Sequence, residues 1–186
     1  GVKRSMEMAI AERVTSNIRD LEGALAFLGA QPEVVDRPYG VFGISMGGAV
    51  AIMVAARDER IGAVAVDSAY VNLEESIAHH MRLLYRLPRV RFVSFVSLAY
   101  RLRFGVWPRQ MSPIANVAEL SPRGLLIIHG EADPQMPVDQ AKAIFETAQE
   151  PKHFWMSQGS GHLGGLHADP EVYLQHVVGF FDTYLR

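Results

Sequence analysis

The chain has 186 residues and a formal net charge of -2, and 49% of its residues are hydrophobic while 20% are charged. These values are typical of a globular domain with a sizeable core and exclude a disordered or collagen-like chain. The absence of cysteine excludes disulfide bonds, thiolate zinc sites and a cysteine nucleophile. Residues 1–13 lack the apolar stretch of a signal peptide, so we expect a cytoplasmic protein.

The first half of the chain alternates between predicted helices and strands. Apolar residues at three- and four-residue spacing predict a helix over residues 9–28. A short apolar run predicts a buried strand over Tyr39–Ile44, and the small residues of 47–57 predict a helix that packs closely on a sheet. A second strand is predicted over residues 61–66.

The second half repeats this alternation. We predict strands over residues 125–129 and Lys152–Ser157, and helices over residues 138–149 and 171–184. Strands that are each followed by a helix indicate a mostly parallel sheet flanked by helices. We therefore expect one α/β domain over residues 1–186.

One long connection interrupts the alternation. More than 50 residues separate the strand that ends near Asp67 from the strand that begins at Leu125. Residues 76–109 are predicted to be helical in pieces, interrupted at Pro88 and Pro108. An insertion here would lie over the carboxyl ends of the strands, where ligands bind in open α/β sheets. We expect a small helical cap at about residues 72–115.

A candidate nucleophile follows the first strand. Gly43 and Gly47 flank Ser45 in the pattern G-x-S-x-G. A serine on a strained strand-to-helix turn needs small neighbours, and we expect these two glycines to remove side chains that would collide there. The turn would also aim the backbone N–H of Met46 at an oxyanion. The alternative is a glycine-rich turn with a bystander serine.

A serine hydroxyl becomes a good nucleophile when a histidine takes its proton and a carboxylate orients that histidine. Asp133 lies in the loop after a predicted strand and is the favoured acid, with Glu131 as its nearest rival and Asp67 as a second. His162 follows the last strand in a glycine-rich loop and is the favoured base. His167 is the alternative base.

The remaining histidines indicate no metal site. His129 is expected at a strand end as a core or shell residue, while His153 and His176 lie within a strand and a helix. His79 and His80 are adjacent on a helix, and adjacent side chains point about 100° apart. We therefore predict neither a metal nor a cofactor.

Taken together, these residues resemble the α/β-hydrolase superfamily, specifically its bacterial esterase/lipase-like and dipeptidyl-peptidase-related branch. The matching segments are YGVFGISMGG at residues 39–48, SPIANVAEL at 112–120, LLIIHGEADPQMP at 125–137 and GSGH at 159–162. The resemblance implies that Ser45, Asp133 and His162 hydrolyse a carboxylic ester or related acyl bond of a small molecule, through an acyl-enzyme and without a cofactor.

The sequence differs from the superfamily pattern at its N-terminal end. Members of the superfamily normally begin with three or four further strands, and an early loop, often containing His-Gly, supplies a second oxyanion donor. No segment before Tyr39 has the pattern of a strand. We therefore expect this chain to be the C-terminal part of an α/β-hydrolase domain.

The predicted cap is strongly basic. No acidic residue occurs between Glu75 and Glu119, and seven arginines lie there among aromatic residues. They are Arg82, Arg86, Arg89, Arg91, Arg101, Arg103 and Arg109. One interpretation is a surface that attracts anionic substrates or an anionic membrane; the other is solvated arginines whose stems cover apolar helix surface. The slightly acidic chain as a whole argues against a nucleic-acid partner.

Three functional alternatives share these sequence features. A peptidase or a thioesterase would use the same serine chemistry on an amide or a thioester. A non-catalytic binding module would keep the fold without using the three residues. The complete set of Ser45, Asp133 and His162 favours an enzyme, because a scaffold has no need of all three.

Overall fold

The computed structural model describes residues 2–34, 36–86 and 89–186. Four strands form its sheet: β1 (Tyr39–Ile44), β2 (Ile61–Asp67), β3 (Gly124–Gly130) and β4 (Lys152–Ser157). The helices are α1 (Val2–Gly29), α2 (Met46–Ala55), α3 (Leu73–Tyr85), α4 (Arg89–Phe104), α5 (Pro113–Asn116), α6 (Val138–Thr147), α7 (Gly165–Ala168) and α8 (Pro170–Tyr184). Two short 3₁₀ turns, Pro108–Gln110 and Val117–Leu120, flank α5.

The sheet is parallel throughout, with strand order β1-β2-β3-β4. This order confirms the predicted parallel sheet flanked by helices. Within the described residues β1 and β4 form the two edges, and Phe42 and Ile44 of β1 are exposed. Parallel pairing brings all four carboxyl ends to one edge of the sheet, where Ile44 pairs with Asp67 and Gly130 pairs with Ser157.

Both faces of the central strands are covered. Leu125 and Ile127 of β3 pack into the core on the side of α2 and α6, whereas Leu126 and Ile128 pack on the side of α8. Because successive side chains of a strand point to opposite faces, a strand covered on both sides must be apolar at every position. This explains why the predicted central strands are continuous apolar runs rather than alternating ones.

Several helix boundaries differ from the predicted ones. The first helix begins at Val2 rather than at residue 9, because no proline or cap interrupts residues 2–8. Helix α2 covers Met46–Ala55 rather than residues 47–57. Helix α6 ends at Thr147 rather than at residue 149, because Ala148 takes an extended conformation. Helix α8 begins at Pro170, one residue before the predicted start, after its N-cap residue Asp169.

The β2–β3 connection (residues 68–123) is helical, and one of its predicted breaks is misplaced. Helix α4 ends at Phe104, before Pro108, because Gly105 adopts a φ of 77° and its N–H bonds back to the carbonyl of Arg101. A glycine in this left-handed conformation is a common helix terminator. The other predicted break, Pro88, lies outside the described residues. Among the residues that the structure describes, no helix combines the length and the hydropathy needed to cross a bilayer.

Arg123 ties the β2–β3 connection to the sheet. Its Nη1 donates to the carbonyls of Ala55, Asp58 and Ile61 at 2.7, 3.1 and 3.1 Å. Its Nη2 and Nε donate to the carbonyls of the 3₁₀ turn that precedes β3. One guanidinium therefore satisfies carbonyl groups at the end of α2, at the start of β2 and before β3.

We expect Arg123→Met to lower the free energy of unfolding by about 2–4 kcal/mol, because it keeps the apolar stem but removes several charge-assisted hydrogen bonds. Urea denaturation measures this change. Arg57→Met, at an exposed position at the end of α2, is the control and should be nearly neutral. Equal effects of the two substitutions would contradict the role given to Arg123.

Candidate active site

Ser45 lies on a sharp turn between β1 and α2. Its backbone has φ 50° and ψ -119°, a conformation that non-glycine residues rarely adopt. The Ser45 N–H donates to the carbonyl of Asp67 at 2.7 Å, so the neighbouring strand β2 holds the turn in place. Because Met46 is the first residue of α2, its N–H is among those that lack an acceptor within the helix.

The glycines around Ser45 do not all serve the predicted purpose. A Cβ on Gly43 would lie 2.6 Å from the backbone carbon of Gly47 and 2.7 Å from the Cα of Gly48. A Cβ on Gly47 would have no atom within 4 Å, so the collision predicted there is wrong. The second crowded position is Gly48, where a Cβ would lie 3.1 Å from Ala69 Cβ.

The structure brings Ser45, His162 and Asp133 into one hydrogen-bonded chain. His162 Nε2 lies 3.2 Å from Ser45 Oγ, and His162 Nδ1 lies 2.7 Å from Asp133 Oδ2. A carboxylate oxygen accepts, so Nδ1 carries the proton and Nε2 is free to accept the proton of the serine hydroxyl. The His162 side chain is 13% exposed and that of Asp133 is fully buried.

The loop around Asp133 fixes its carboxylate. The second oxygen, Oδ1, accepts hydrogen bonds from the backbone N–H groups of Gln135 at 2.8 Å and Met136 at 2.9 Å. Burial raises the pKa of the Asp133 carboxyl, but the hydrogen bonds from His162, Met136 and Gln135 together outweigh it, so the pKa lies below its ordinary value. The carboxylate therefore stays ionised beside the imidazole.

The loops that carry Asp133 and His162 are joined by their backbones. The Ala132 N–H donates to Ser160 O at 2.9 Å, and the Glu131 N–H donates to Ser157 O at 3.0 Å. A Cβ on Gly130, at the end of β3, would lie 2.6 Å from Ser160 O. The glycine at this position permits the close approach of the two loops.

The rival acids and the rival base lie elsewhere. Glu131 Oε2 accepts from the Gly159 N–H at 2.9 Å and so helps to shape the histidine loop. Asp67 is buried and accepts from the hydroxyls of Ser68 and Tyr173, each at 2.9 Å. His167 lies in α7 and is exposed.

Asp67 differs electrostatically from Asp133. Burial raises the pKa of the Asp67 carboxyl, although the hydrogen bonds from Ser68 and Tyr173 act in the opposite direction. Burial and the neighbouring Asp67 also raise the pKa of the Tyr173 hydroxyl. Asp67 thus links the end of β2 to α8 through a buried hydrogen bond.

The remaining histidines have local partners. His129 is fully buried, as expected for a core residue, and its Nε2–H donates to Met136 O at 2.7 Å, bracing the loop that holds Asp133. His79 donates to Pro134 O and His80 to Ser76 O. His153 bonds the Tyr184 hydroxyl, and His176 stacks on Trp155. In the described part of the chain no three acidic or histidine side chains are placed to hold a metal ion.

A small apolar cavity of about 130 Å³ opens beside Ser45. Tyr70, Leu73, Ile77 and Met136 supply most of its apolar wall, and the full set also includes Ser45, Met46, Ser76 and His80. None of the described phenylalanine, tyrosine or tryptophan side chains of residues 76–109 lines this cavity; Tyr100 is buried in the core and Phe95 faces outward.

Sequence reasoning missed several residues that shape this site. Gly48 and Gly130 lie within the matching segments, but no sequence pattern showed that neighbouring backbone and side chains would crowd a Cβ at either position. No sequence pattern predicted the hydrogen bond from Tyr173 to Asp67, because the two residues lie 106 positions apart. Leu73 and Ile77 have the spacing of one helix face, which could have identified them as wall residues.

Comparisons with known proteins show the family and the fold of the chain. The model of the prolyl oligopeptidase family matches residues 8–186. The uncharacterized protein YqkD of Bacillus subtilis is 26% identical over 146 residues, covering 77% of this chain and 48% of that protein. The uncharacterized protein YfhR of Escherichia coli K12 is 26% identical over 175 residues, covering 90% and 53%. The chain thus spans about half the length of these relatives.

Solved structures share the fold. An esterase from Pyrococcus furiosus superposes with a TM-score of 0.70 at 20% identity, covering 91% of this chain and 62% of that one. The α/β hydrolase GrgF from Penicillium superposes with a TM-score of 0.67 at 20% identity, covering 92% and 72%. The chain therefore has the α/β-hydrolase fold, as the sequence resemblance implied.

Alanine substitutions at Gly43 and Gly47 should change the stability of the protein differently. We expect Gly43→Ala to destabilise the protein by about 1–3 kcal/mol, because its Cβ collides with backbone that cannot move aside. Gly47→Ala should be neutral or stabilising by up to about 1 kcal/mol, since alanine favours a helix. Urea denaturation of both variants measures the difference, and equal losses would contradict the crowding at Gly43.

Proposed function

The chain belongs to the prolyl oligopeptidase family, and from this premise we propose that it is a serine hydrolase that cleaves carboxylic esters through an acyl-enzyme on Ser45. The observation that carries the proposal is the continuous hydrogen-bonded chain from Asp133 through His162 to Ser45. Its order and tautomer are those that general-base activation of a serine requires.

In the first half of the proposed reaction, His162 Nε2 takes the proton from Ser45 as Oγ attacks the ester carbonyl. Asp133 keeps Nδ1 protonated and stabilises the imidazolium that forms. His162 then gives its proton to the leaving alcohol. In the second half, the same imidazole activates a water molecule that releases the acid from Ser45.

The tetrahedral intermediate carries its negative charge on the former carbonyl oxygen. We assign the Met46 N–H as one donor to this oxyanion, because it lies at the N-terminus of α2 directly after the nucleophile. The partial positive charge of the helix N-terminus acts in the same direction. The burial of residues 48–55 keeps α2 from shifting as the charge develops.

The cavity beside Ser45 is the proposed acyl site. Its volume of about 130 Å³ is close to that of an engineered cavity of roughly 150 Å³ that holds one benzene molecule. A group of about four to six carbons therefore fits, on the same comparison. The structural neighbours that are named esterases, from Pyrococcus furiosus and Rhodothermus marinus, support an ester as the substrate.

A fluorophosphonate tests the proposed triad. We expect Ser45 of the wild-type chain to be labelled stoichiometrically, as measured by intact mass, and Ser45→Ala to remain unlabelled. Asp133→Asn should slow labelling by about 10⁴-fold, because the imidazole loses its tautomer, and His162→Ala should slow it comparably.

The rival residues provide matched controls for this experiment. His167→Ala should keep the labelling rate, because His167 is exposed. Glu131→Gln should also keep it, since the glutamine oxygen can still accept from the Gly159 N–H. Loss of labelling in His167→Ala but not in His162→Ala would overturn the assigned base. A folded wild-type chain that resists labelling would mean either that further N-terminal strands are required or that the assigned triad is wrong, and labelling of the longer chain would decide between the two.

A substrate panel tests the bond type and the acyl length. We expect p-nitrophenyl butanoate to exceed p-nitrophenyl decanoate in kcat/KM by at least roughly tenfold, since each methylene group that a pocket rejects is worth about 1–3 kcal/mol. Ile77→Ala, which enlarges the cavity, should move the optimum towards hexanoate. Leu83→Ala, at an exposed position on the same helix, should not.

The panel also includes an acyl-CoA thioester and an aminoacyl p-nitroanilide. The family name makes a peptidase the principal competitor. Faster turnover of the anilide or of the thioester than of every ester would replace the proposed esterase by a peptidase or a thioesterase. In that case the labelling of Ser45 would remain and only the substrate class would change.

A further inference from the structure

Helix α4 exposes apolar side chains where a solvated helix normally presents polar ones. Phe95, Leu98 and Leu102 are 57%, 48% and 79% exposed. Their three- and four-residue spacing places them on one stripe of the helix. The opposite stripe, which includes Val96 and Tyr100, is buried in the core. The described residues therefore cover the outward stripe only in part.

Helix α3 also exposes apolar side chains. Leu83 and Leu84, in its last turn, are 44% and 60% exposed. Only three residues separate the end of α3 from the start of α4, and the two helices pack against each other. We call Leu83, Leu84, Phe95, Leu98 and Leu102 the exposed apolar face.

The segment that contains this face is strongly basic, although Glu74, which precedes it, lines one pocket with Leu98 and Arg109. Residues 76–118 contain seven arginines and no lysine, aspartate or glutamate, which gives this segment a formal charge of +7. Because the whole chain has a formal charge of -2, the remaining residues carry -9. The described side chains of Arg82, Arg86 and Arg101 are all exposed. Arg103, also exposed, pairs with Glu12 of α1 at 3.4 Å.

We propose that the exposed apolar face docks on the surface of an anionic lipid bilayer. Guanidinium groups bind phosphate well, and the apolar side chains between them can enter the boundary between headgroups and acyl chains. The charge separation would orient the chain, since the bilayer attracts residues 76–118 and repels the acidic remainder. A second copy fits this face poorly, because two segments of charge +7 would meet.

Docking does not depend on the proposed esterase activity, although it would bear on access to the cavity. Leu73 and Ile77, in the first half of α3, line the cavity beside Ser45, while Leu83 and Leu84 lie at the other end of the same helix. A docked chain would therefore hold the cavity near the lipid surface.

Sedimentation with lipid vesicles tests the proposal. We expect the chain to sediment with vesicles of equal parts phosphatidylcholine and phosphatidylglycerol, but not with phosphatidylcholine alone, and to be released by salt. The double variant Arg82→Gln, Arg101→Gln should bind roughly 30-fold more weakly, since each arginine near an anionic surface contributes about 1 kcal/mol. Phe95→Ser combined with Leu102→Ser should also weaken binding.

Exposed positions elsewhere provide matched controls. Leu174→Ser with Val178→Ser on α8, and Arg57→Gln with Lys142→Gln, change the same residue classes outside the face and should leave binding unchanged. Circular dichroism verifies that every variant is folded. Absence of binding, equal binding to neutral vesicles, or equal loss in the controls would overturn the proposal. Self-association that Phe95→Ser abolishes, without vesicle binding, would instead assign the face to a second copy.

Discussion

The backbone turn at Ser45 is the constraint on which the arrangement of the site depends. A non-glycine residue at a φ of 50° is strained by about 1–3 kcal/mol and persists only where its surroundings fix it. Here the Ser45 N–H is held by the carbonyl of Asp67, and Gly43 lets the first turn of α2 approach β1. Residues 48–55 of α2 are all buried, and their packing offsets the local strain. The turn leaves Oγ at the edge of the sheet, facing the loops of the neighbouring strands.

A second constraint aligns those loops. Strands β3 and β4 are adjacent and parallel, so the loops that follow them leave the sheet at the same edge. Gly130 has no side chain, and the backbone bond from Ala132 to Ser160 can therefore form. This contact sets the spacing between Asp133 and His162, which is short enough for a charge-assisted hydrogen bond. The hydrogen bond from His162 is one of the interactions that hold the pKa of the Asp133 carboxyl below its ordinary value.

The β2–β3 connection combines two properties that a simple crossover would not need. Its inner residues, such as Leu73 and Ile77, close the cavity beside Ser45, while its outer residues carry the exposed apolar face and the arginines. The segment also has a charge opposite in sign to that of the remaining chain. Because electrostatic orientation acts over roughly a Debye length of 8–10 Å, such a separation affects how the chain meets a charged surface before any contact forms.

The sequence by itself determined the alternation of strands and helices, because the strands are short apolar runs and α2 is built from small residues. It also narrowed the candidate site to one serine, three possible acids and two possible bases. Helix ends were less predictable, since a local backbone conformation such as that of Gly105 decides them. Only the tertiary structure brought His162 rather than His167 to Ser45, and Asp133 rather than Glu131 or Asp67 to His162. The physical reason is that these two hydrogen bonds join residues that are 29 and 117 positions apart in sequence. Their geometry is set by the order and register of the strands rather than by any local sequence pattern.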